Sequence, residues 1–305
     1  MIDPGYDYHR AGVLDYRVAP GPALPLLLDA PHSGTEVPAD FVPAVPKQAW
    51  QAISDPFVDA LIEGTGVQGA SVLKALFPRS YIDLNRGLHD LSAEVIVGDW
   101  PFWPPGTRGQ QRGAGLIRRF VDWQTPMYRQ PLPSASALRR VMDFYQPYHD
   151  LLAAALERLR QTFGAAYHVN CHSMKSVGGR MNKDAGMKRA DFVLSDRDGG
   201  SSDPQFTAWI AAALRQRGYH VAVNDPFKGA EILRRHGAPD NNIHSVQIEI
   251  NRRLYMDEAS GEKHSGFESL ELDLQAVVAD FAAGPGRLMP PARRGPAIHQ
   301  FNPLA

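Results

Sequence analysis

The chain of 305 residues contains one cysteine, Cys171, which excludes an intrachain disulfide and a multi-cysteine zinc site. It has no surplus of either charge. Its 32 Lys and Arg against 33 Asp and Glu leave a net charge of -1, so no global electrostatic attraction to nucleic acid or to an anionic membrane exists, and any anion binding must be local. Long hydrophobic runs are missing too: no segment approaches the roughly 18 uninterrupted apolar residues of a membrane span, and the opening MIDPGYDYHRAG has no basic flank followed by an apolar stretch. Internal repeats, low-complexity blocks and a GxxxxGK[ST] phosphate loop are likewise absent. These absences lead to the expectation of a cytoplasmic protein that neither crosses a membrane nor binds nucleic acid.

A hydrophobic content of 44% with 21% charged residues is enough for one large core. Short apolar runs of strand length recur at Leu24–Ala30, Ala70–Leu76, Ser80–Leu84, Tyr167–Cys171, Asp191–Ser195, His220–Val223 and Ser245–Ile250. Helical spacing separates them. It is clearest over Ala137–Phe163, with a bend expected at Pro147, and recurs over Asp55–Gly64, Pro204–Arg217 and Leu270–Ala283. This alternation predicts an α/β layer fold with its site at the carboxyl ends of the strands. One domain is expected over residues 24–283, between an N-terminal arm, 1–23, and a Pro-rich C-terminal arm, 284–305.

The strand-end rule singles out two histidines. LPLLLDA runs into PHSGTEVP and sets His32 in a loop, while YHVNC leads to His172. Either histidine alone reads as a hydrogen-bonded structural residue, but together at equivalent strand ends they suggest two ligands of a metal ion. An open catalytic zinc site needs a third protein ligand. Asp55, at the start of DPFVDALI, is preferred; Glu36 competes, and an N-cap role for Asp55, with Asp59 on the same helical face, is the plainer alternative.

FPRSYIDLNRG reads as a strand ending in Asp83, Asn85 and Arg86, a fork and an amide suited to an acidic small-molecule substrate. Lys228 or Arg234, in NDPFKGAEILRRHG, could hold a second carboxylate. SDRDGGSS reads as a tight loop, His149 as a packed helical residue, and Cys171 as a core residue pointing away from His172. In HSVQIEINRRLYMDE, Glu249 lies among Ile248, Ile250 and Val246, where desolvation raises a carboxyl pKa into the range of a proton shuttle. An ion pair with Arg252 is the structural alternative.

Taken in order, LLLDAPHSGTEVPADF, SDPFVDALI, PRSYIDLNRG, YQPYHDLL, NCHSMKS, ADFVLSDRDGGSSDPQF, NDPFKGAEILRRHGAP and HSVQIEINRRLYMDE resemble the N-formylglutamate amidohydrolase family from about Pro25 to Glu258. That family is similar to a branch of the zinc carboxypeptidase and aspartoacylase superfamily. The resemblance implies a central mixed, largely parallel sheet covered by helices on both faces, and one zinc ion on His32, His172 and a carboxylate. It also implies Arg79 polarising the scissile carbonyl, Asn85 and Arg86 holding a substrate carboxylate, and Glu249 as general base and acid. The superfamily's usual His-x-x-Glu is not kept, since Thr35 stands three positions after His32. The implied activity is hydrolysis of N-formyl-L-glutamate to formate and L-glutamate in histidine breakdown. The alternatives are an aspartoacylase-like or carboxypeptidase-like hydrolase and a non-catalytic binding protein on the same fold.

Overall fold

The computed structural model describes residues 3–102, 113–122, 124–180 and 182–284. Its strands are β1 (Tyr8–Arg10), β2 (Leu14–Arg17), β3 (Leu26–Ala30), β4 (Ser71–Ala75), β5 (Ile96–Val97), β6 (Leu132–Pro133), β7 (Ala166–Met174), β8 (Phe192–Ser195), β9 (Val221–Val223) and β10 (Ile243–Asn251). The α-helices are α1 (Lys47–Gln51), α2 (Val58–Glu63), α3 (Ser134–Arg140), α4 (Gln146–Phe163), α5 (Pro204–Gln216), α6 (Glu231–His236) and α7 (Gly266–Ala283). Eight strands form one sheet in the order β1-β2-β4-β3-β7-β10-β8-β9, while β5 and β6 pair separately. The central strands β4, β3, β7 and β10 are parallel; β2 and β8 run antiparallel to their inner neighbours.

Register explains why β10 alternates polar and apolar residues. Glu249 pairs with His172 and Gln247 with Asn170, and on β3 Asp29 pairs with Asn170. Paired residues share a face and successive ones alternate. One face therefore carries Asp29, His168, Asn170, His172, Ser245, Gln247 and Glu249. The opposite face carries Leu28, Val169, Cys171, Val246, Ile248 and Ile250, and packs against Leu61 of α2, Phe206 and Leu214 of α5, and Leu274 and Phe281 of α7. On the polar side, Leu27 and Leu73 pack with Tyr148, Leu152 and Leu156 of α4, away from the polar ladder.

Several expectations are corrected. Ser80–Leu84 is not a strand. The backbone turns there, with Tyr81 N donating to Pro78 O at 2.9 Å, Arg86 N to Asp83 O at 3.2 Å and Asp83 N to Leu116 O at 2.8 Å, so these donors are satisfied without a sheet neighbour. His172 lies within β7, not beyond its end. The helical pattern over Ala137–Phe163 is continuous from Ser134 but widens to a π-turn at Val141–Tyr145, just before Pro147, whose ring and missing N–H disfavour a regular α-turn there. Within the expected N-terminal arm, β2 pairs with β4 from Leu14↔Ala75 to Arg17↔Val72, so extended, partly apolar chain covers an otherwise open sheet edge. Residues 285–305, most of the expected C-terminal arm, lie outside the described residues.

Candidate active site

β3 delivers the chain into Pro31-His32-Ser33-Gly34, which is fastened to two other segments. Asp55 N donates to His32 O (3.1 Å), Ser33 Oγ donates to Asp55 O (2.9 Å) and accepts from Asp59 N (3.2 Å). On the other side Glu36 N donates to Leu76 O at 2.8 Å. Gly34 is required by this approach, since a Cβ there would lie 2.3 Å from the Leu76 carbonyl carbon.

These ties bring Asp55 against both histidines. Asp55 Oδ2 lies 3.2 Å from His32 Nδ1 and 2.9 Å from His172 Nδ1, and the two rings stand 4.6 Å apart between centroids. All three residues are buried and their ligand atoms fall within 4.8 Å of one another. A tetrahedral ion with bonds of about 2.0–2.1 Å needs ligand atoms roughly 3.3 Å apart, close to these separations. Asp55 makes no side-chain cap to α2, whose first turn follows Phe57 in the left-handed region at φ 64. Glu36 is exposed and lies outside this group of three.

The outer ring nitrogens have partners of their own. His32 Nε2 lies 2.8 Å from Asp83 Oδ1, and His172 Nε2 lies between Asn170 Oδ1 (2.7 Å) and Asn85 Nδ2 (3.1 Å). Both Nδ1 atoms therefore face Asp55 Oδ2, the three atoms that a shared cation would engage. Burial alone would raise the Asp55 carboxyl, but the hydrogen bonds of His172 and His32 and the charge of Arg79 hold it well below the usual carboxylate range. Asp83, also buried, is held low by Arg79, His32 and Arg86. Arg79 donates from Nη2 to Asp83 Oδ2 at 2.7 Å and sets Nη1 3.9 Å from Asp55 Oδ1. The donor set fits a divalent metal ion: two imidazoles, one carboxylate and oriented outer partners.

Behind Asn170 the network reaches into the core. Its Nδ2 donates to Asp29 Oδ1 at 2.7 Å, and Asp29 also accepts from Tyr148 Oη (2.7 Å) and His168 Nε2 (3.0 Å). Asp29 thereby orients the Asn170 amide, which lies against the His172 ring. Asn85 is occupied at both ends: Oδ1 accepts from Ile232 N at 2.8 Å, and Nδ2 donates to Gln247 Oε1 at 3.2 Å.

Glu249 stands one strand over from His172, half-buried, its Oε1 accepting from Gln247 Nε2 at 2.8 Å. Burial pushes its carboxyl up to about 7, aided by the charge of Asp55 and opposed by His172, Arg79 and Arg189. The alternative ion pair with Arg252 is not formed. Arg252 instead donates to Ser173 Oγ (3.0 Å) and Ser54 O, and lies 3.4 Å from Asp55 Oδ1.

Arg86 donates from Nε to Ala114 O (3.0 Å) and from Nη1 to Asn85 O (2.8 Å), placing it beside the turn that holds Asp83. Lys228 and Arg234 do not join the group, since Lys228 pairs with Asp198 and Arg234 forks onto Glu231, both largely exposed. His149 is buried between Leu84 O and His236, and Cys171 belongs to the apolar core, as their sequence contexts suggested. Asp29 and Asn170 carry no sequence expectation, and Arg252, considered only as a partner of Glu249, meets Asp55 instead. Polar residues at every second position of β7 and β10 were the available signal for the strand members, whereas nothing near Arg252 in sequence points to Asp55.

A sequence profile of the N-formylglutamate amidohydrolase family matches residues 24–256. The N-formylglutamate deformylase of Pseudomonas aeruginosa is 31% identical over 244 residues, covering 77% of this chain and 83% of that protein. The deformylase of Pseudomonas putida is 30% identical over 239 residues, with the same coverage of 77% and 83%. The crystal structure of N-formylglutamate amidohydrolase from Ralstonia eutropha is 38% identical and superposes with a TM-score of 0.83 over 89% of this chain and 98% of its own. With the fold, the family profile and these relatives in agreement, the chain belongs to the N-formylglutamate amidohydrolase family.

Proposed function

We propose that the protein hydrolyses the formyl amide of N-formyl-L-glutamate to formate and L-glutamate, with His32, Asp55 and His172 holding one zinc ion and Glu249 acting as general base and then general acid. In a cell this would be a step of histidine breakdown in the cytoplasm. The observation that carries the reading is Glu249: a half-buried carboxyl poised at about 7, in register with a histidine of the triad. A proton shuttle works best when its pKa lies near the working pH. Zinc, when bound, would supply a Lewis acid for the formyl carbonyl and lower the pKa of an attacking water.

The chain's own groups do the rest. Glu249 Oε1 is held by Gln247, which leaves Oε2 to take the water proton and return it to the departing amine nitrogen. Arg79, anchored on Asp83, keeps a positive charge beside the triad for the developing oxyanion. Arg86 is tethered through Nε and Nη1 and presents Nη2 to a substrate carboxylate, while Asn85 braces its loop through Ile232 and Gln247.

Metal analysis combined with formate release from a panel of N-formyl amino acids tests the proposal. About one zinc per chain, activity lost to a chelator and regained with metal, and preference for the acidic substrate are the expected results. Zinc-loaded protein that releases no formate from N-formyl-L-glutamate would sink it.

A further inference from the structure

Arg118 has no role in the site as drawn so far, yet the fold carries it there. The segment before it is strapped across the turn bearing Asp83 and Arg86: Asp83 N donates to Leu116 O at 2.8 Å, Leu116 N to Asp90 O at 2.6 Å, and Arg86 Nε to Ala114 O at 3.0 Å. The Arg118 guanidinium lies within electrostatic reach of Arg79, Asp83, Arg86 and Asp55. Its Nε is buried and has no hydrogen-bond partner.

Arg140 shares the unpartnered Nε but is otherwise accounted for, with Nη1 donating to Tyr81 O and Tyr128 Oη, both at 2.8 Å, and its guanidinium stacked over Tyr81. No such contact serves Arg118 among the described residues. The carboxylates within its reach are committed elsewhere, Asp83 to Arg79, His32 and Asn85 N, and Asp55 to both histidines and Arg252. Burial and the charges of Arg79 and Arg86 pull Arg118 down to about 9, against the attraction of Asp83 and Asp55. Arg79, equally enclosed, is instead held above its ordinary value by the carboxylates it engages. A guanidinium whose buried Nε is unbonded, set among other cations, is a costly feature, and a bound anion removes the cost.

We propose that Arg118 binds a carboxylate of the substrate, forming with Arg86 a paired-guanidinium receptor beside the metal triad. This rests on the amidohydrolase reading and adds to it the source of its acidic specificity. A guanidinium fork matches a carboxylate at two points, which a lysine cannot do.

The test compares N-formyl-L-glutamate with its two monoamides, N-formyl-L-glutamine and N-formyl-L-isoglutamine, in the zinc-loaded wild type, Arg118→Leu and Arg118→Lys. Arg118→Leu is expected to raise KM for N-formyl-L-glutamate by about 10–100-fold, the weight of a charge-assisted hydrogen bond. It should leave one monoamide nearly unaffected and kcat largely intact, so that discrimination between them collapses; Arg118→Lys should fall between. Since Arg118 has no side-chain partner to lose among the described residues, the Leu variant should keep its zinc and its Tm. Equal loss on all three substrates, no loss on any, or a lowered Tm with unchanged discrimination would overturn the assignment. If the wild type releases no formate from any of them, the deformylase reading fails separately, and calorimetry with glutarate decides the Arg118 site. Binding weakened at least about 10-fold in Arg118→Leu supports it, and equal binding overturns it.

Discussion

Glu249 and its neighbours show how one residue's environment sets its chemistry. Replacing Glu249 by Gln keeps size and the contact with Gln247 but removes the proton acceptor. We expect kcat to fall by roughly 10²–10⁴-fold with zinc content unchanged. Near-normal kcat per zinc-loaded molecule would remove Glu249 from the mechanism. The same carboxyl predicts a pH effect on stability. In the metal-free chain burial raises it from 4.5 to about 7, so the folded state favours its protonated form. That contribution is complete below the unfolded value and is lost as pH rises through about 7. Metal-free Glu249→Gln should therefore match wild type in Tm near pH 5 and exceed it above pH 7. A Tm difference that is the same at both pH values would show that Glu249 does not carry this linkage.

At the scale of the element, the polar face of β3, β7 and β10 is a buried hydrogen-bond ladder whose parts depend on strand register. Asp29, 0% exposed on β3, accepts from Asn170, Tyr148 and His168 and so governs His172 without touching the triad. Asp29→Asn puts an amide where the network requires an acceptor and frees Asn170 to reorient. Zinc affinity should fall about 10–100-fold, measured by competition with a chromophoric chelator. Tyr148→Phe removes one donor and should lower stability by about 1–3 kcal/mol with a smaller effect on zinc. Unchanged zinc affinity in a folded Asp29→Asn protein would mean that the His172 ring keeps its setting without this support. Gly34→Ala belongs at this scale too. Its Cβ would press on the backbone after β4, so the His32 loop must move, and zinc binding and Tm should drop together.

For the whole molecule, the triad is a clasp between distant parts of the chain: Asp55 meets His32 across 23 positions and His172 across 117. An ion bound there would hold the folded chain and find no comparable site in the unfolded one, so on the proposed reading stability should follow free metal by mass action. At zinc concentrations about 100-fold above Kd the gain is about 2.7 kcal/mol, or on the order of 5 °C in Tm for a chain of this size. Thermal scans of chelator-treated protein with graded zinc should show this rise, and His32→Ala or His172→Ala should abolish it. A rise that survives both substitutions would place the metal elsewhere.

Local pattern alone determined most of the elements, the paired histidines and the carboxyl at Glu249, because each is written as periodicity or as an ionisable residue inside an apolar run. His32 and His172 were legible for that reason, as was the apolar side of β10. Which carboxylate meets them was not. Asp55 and Glu36 are both close to plausible positions in sequence, and only the bonds of Ser33 with the Asp55 segment and of Glu36 N with Leu76 turn one inward and leave the other exposed. Ser80–Leu84 has strand-like residues, but Tyr81 N bonds Pro78 O and Asp83 N bonds Leu116 O, a choice invisible to periodicity. Asn85 looked free for a ligand until Ile232 and Gln247, 147 and 162 positions away, took both ends of its amide. Arg118 drew no attention at all, since a basic residue in a loop is ordinarily solvated. Its buried, unpartnered Nε arises from the packing of its segment against the turn of Asp83 and Arg86, and such nonlocal contacts are decided by the fold.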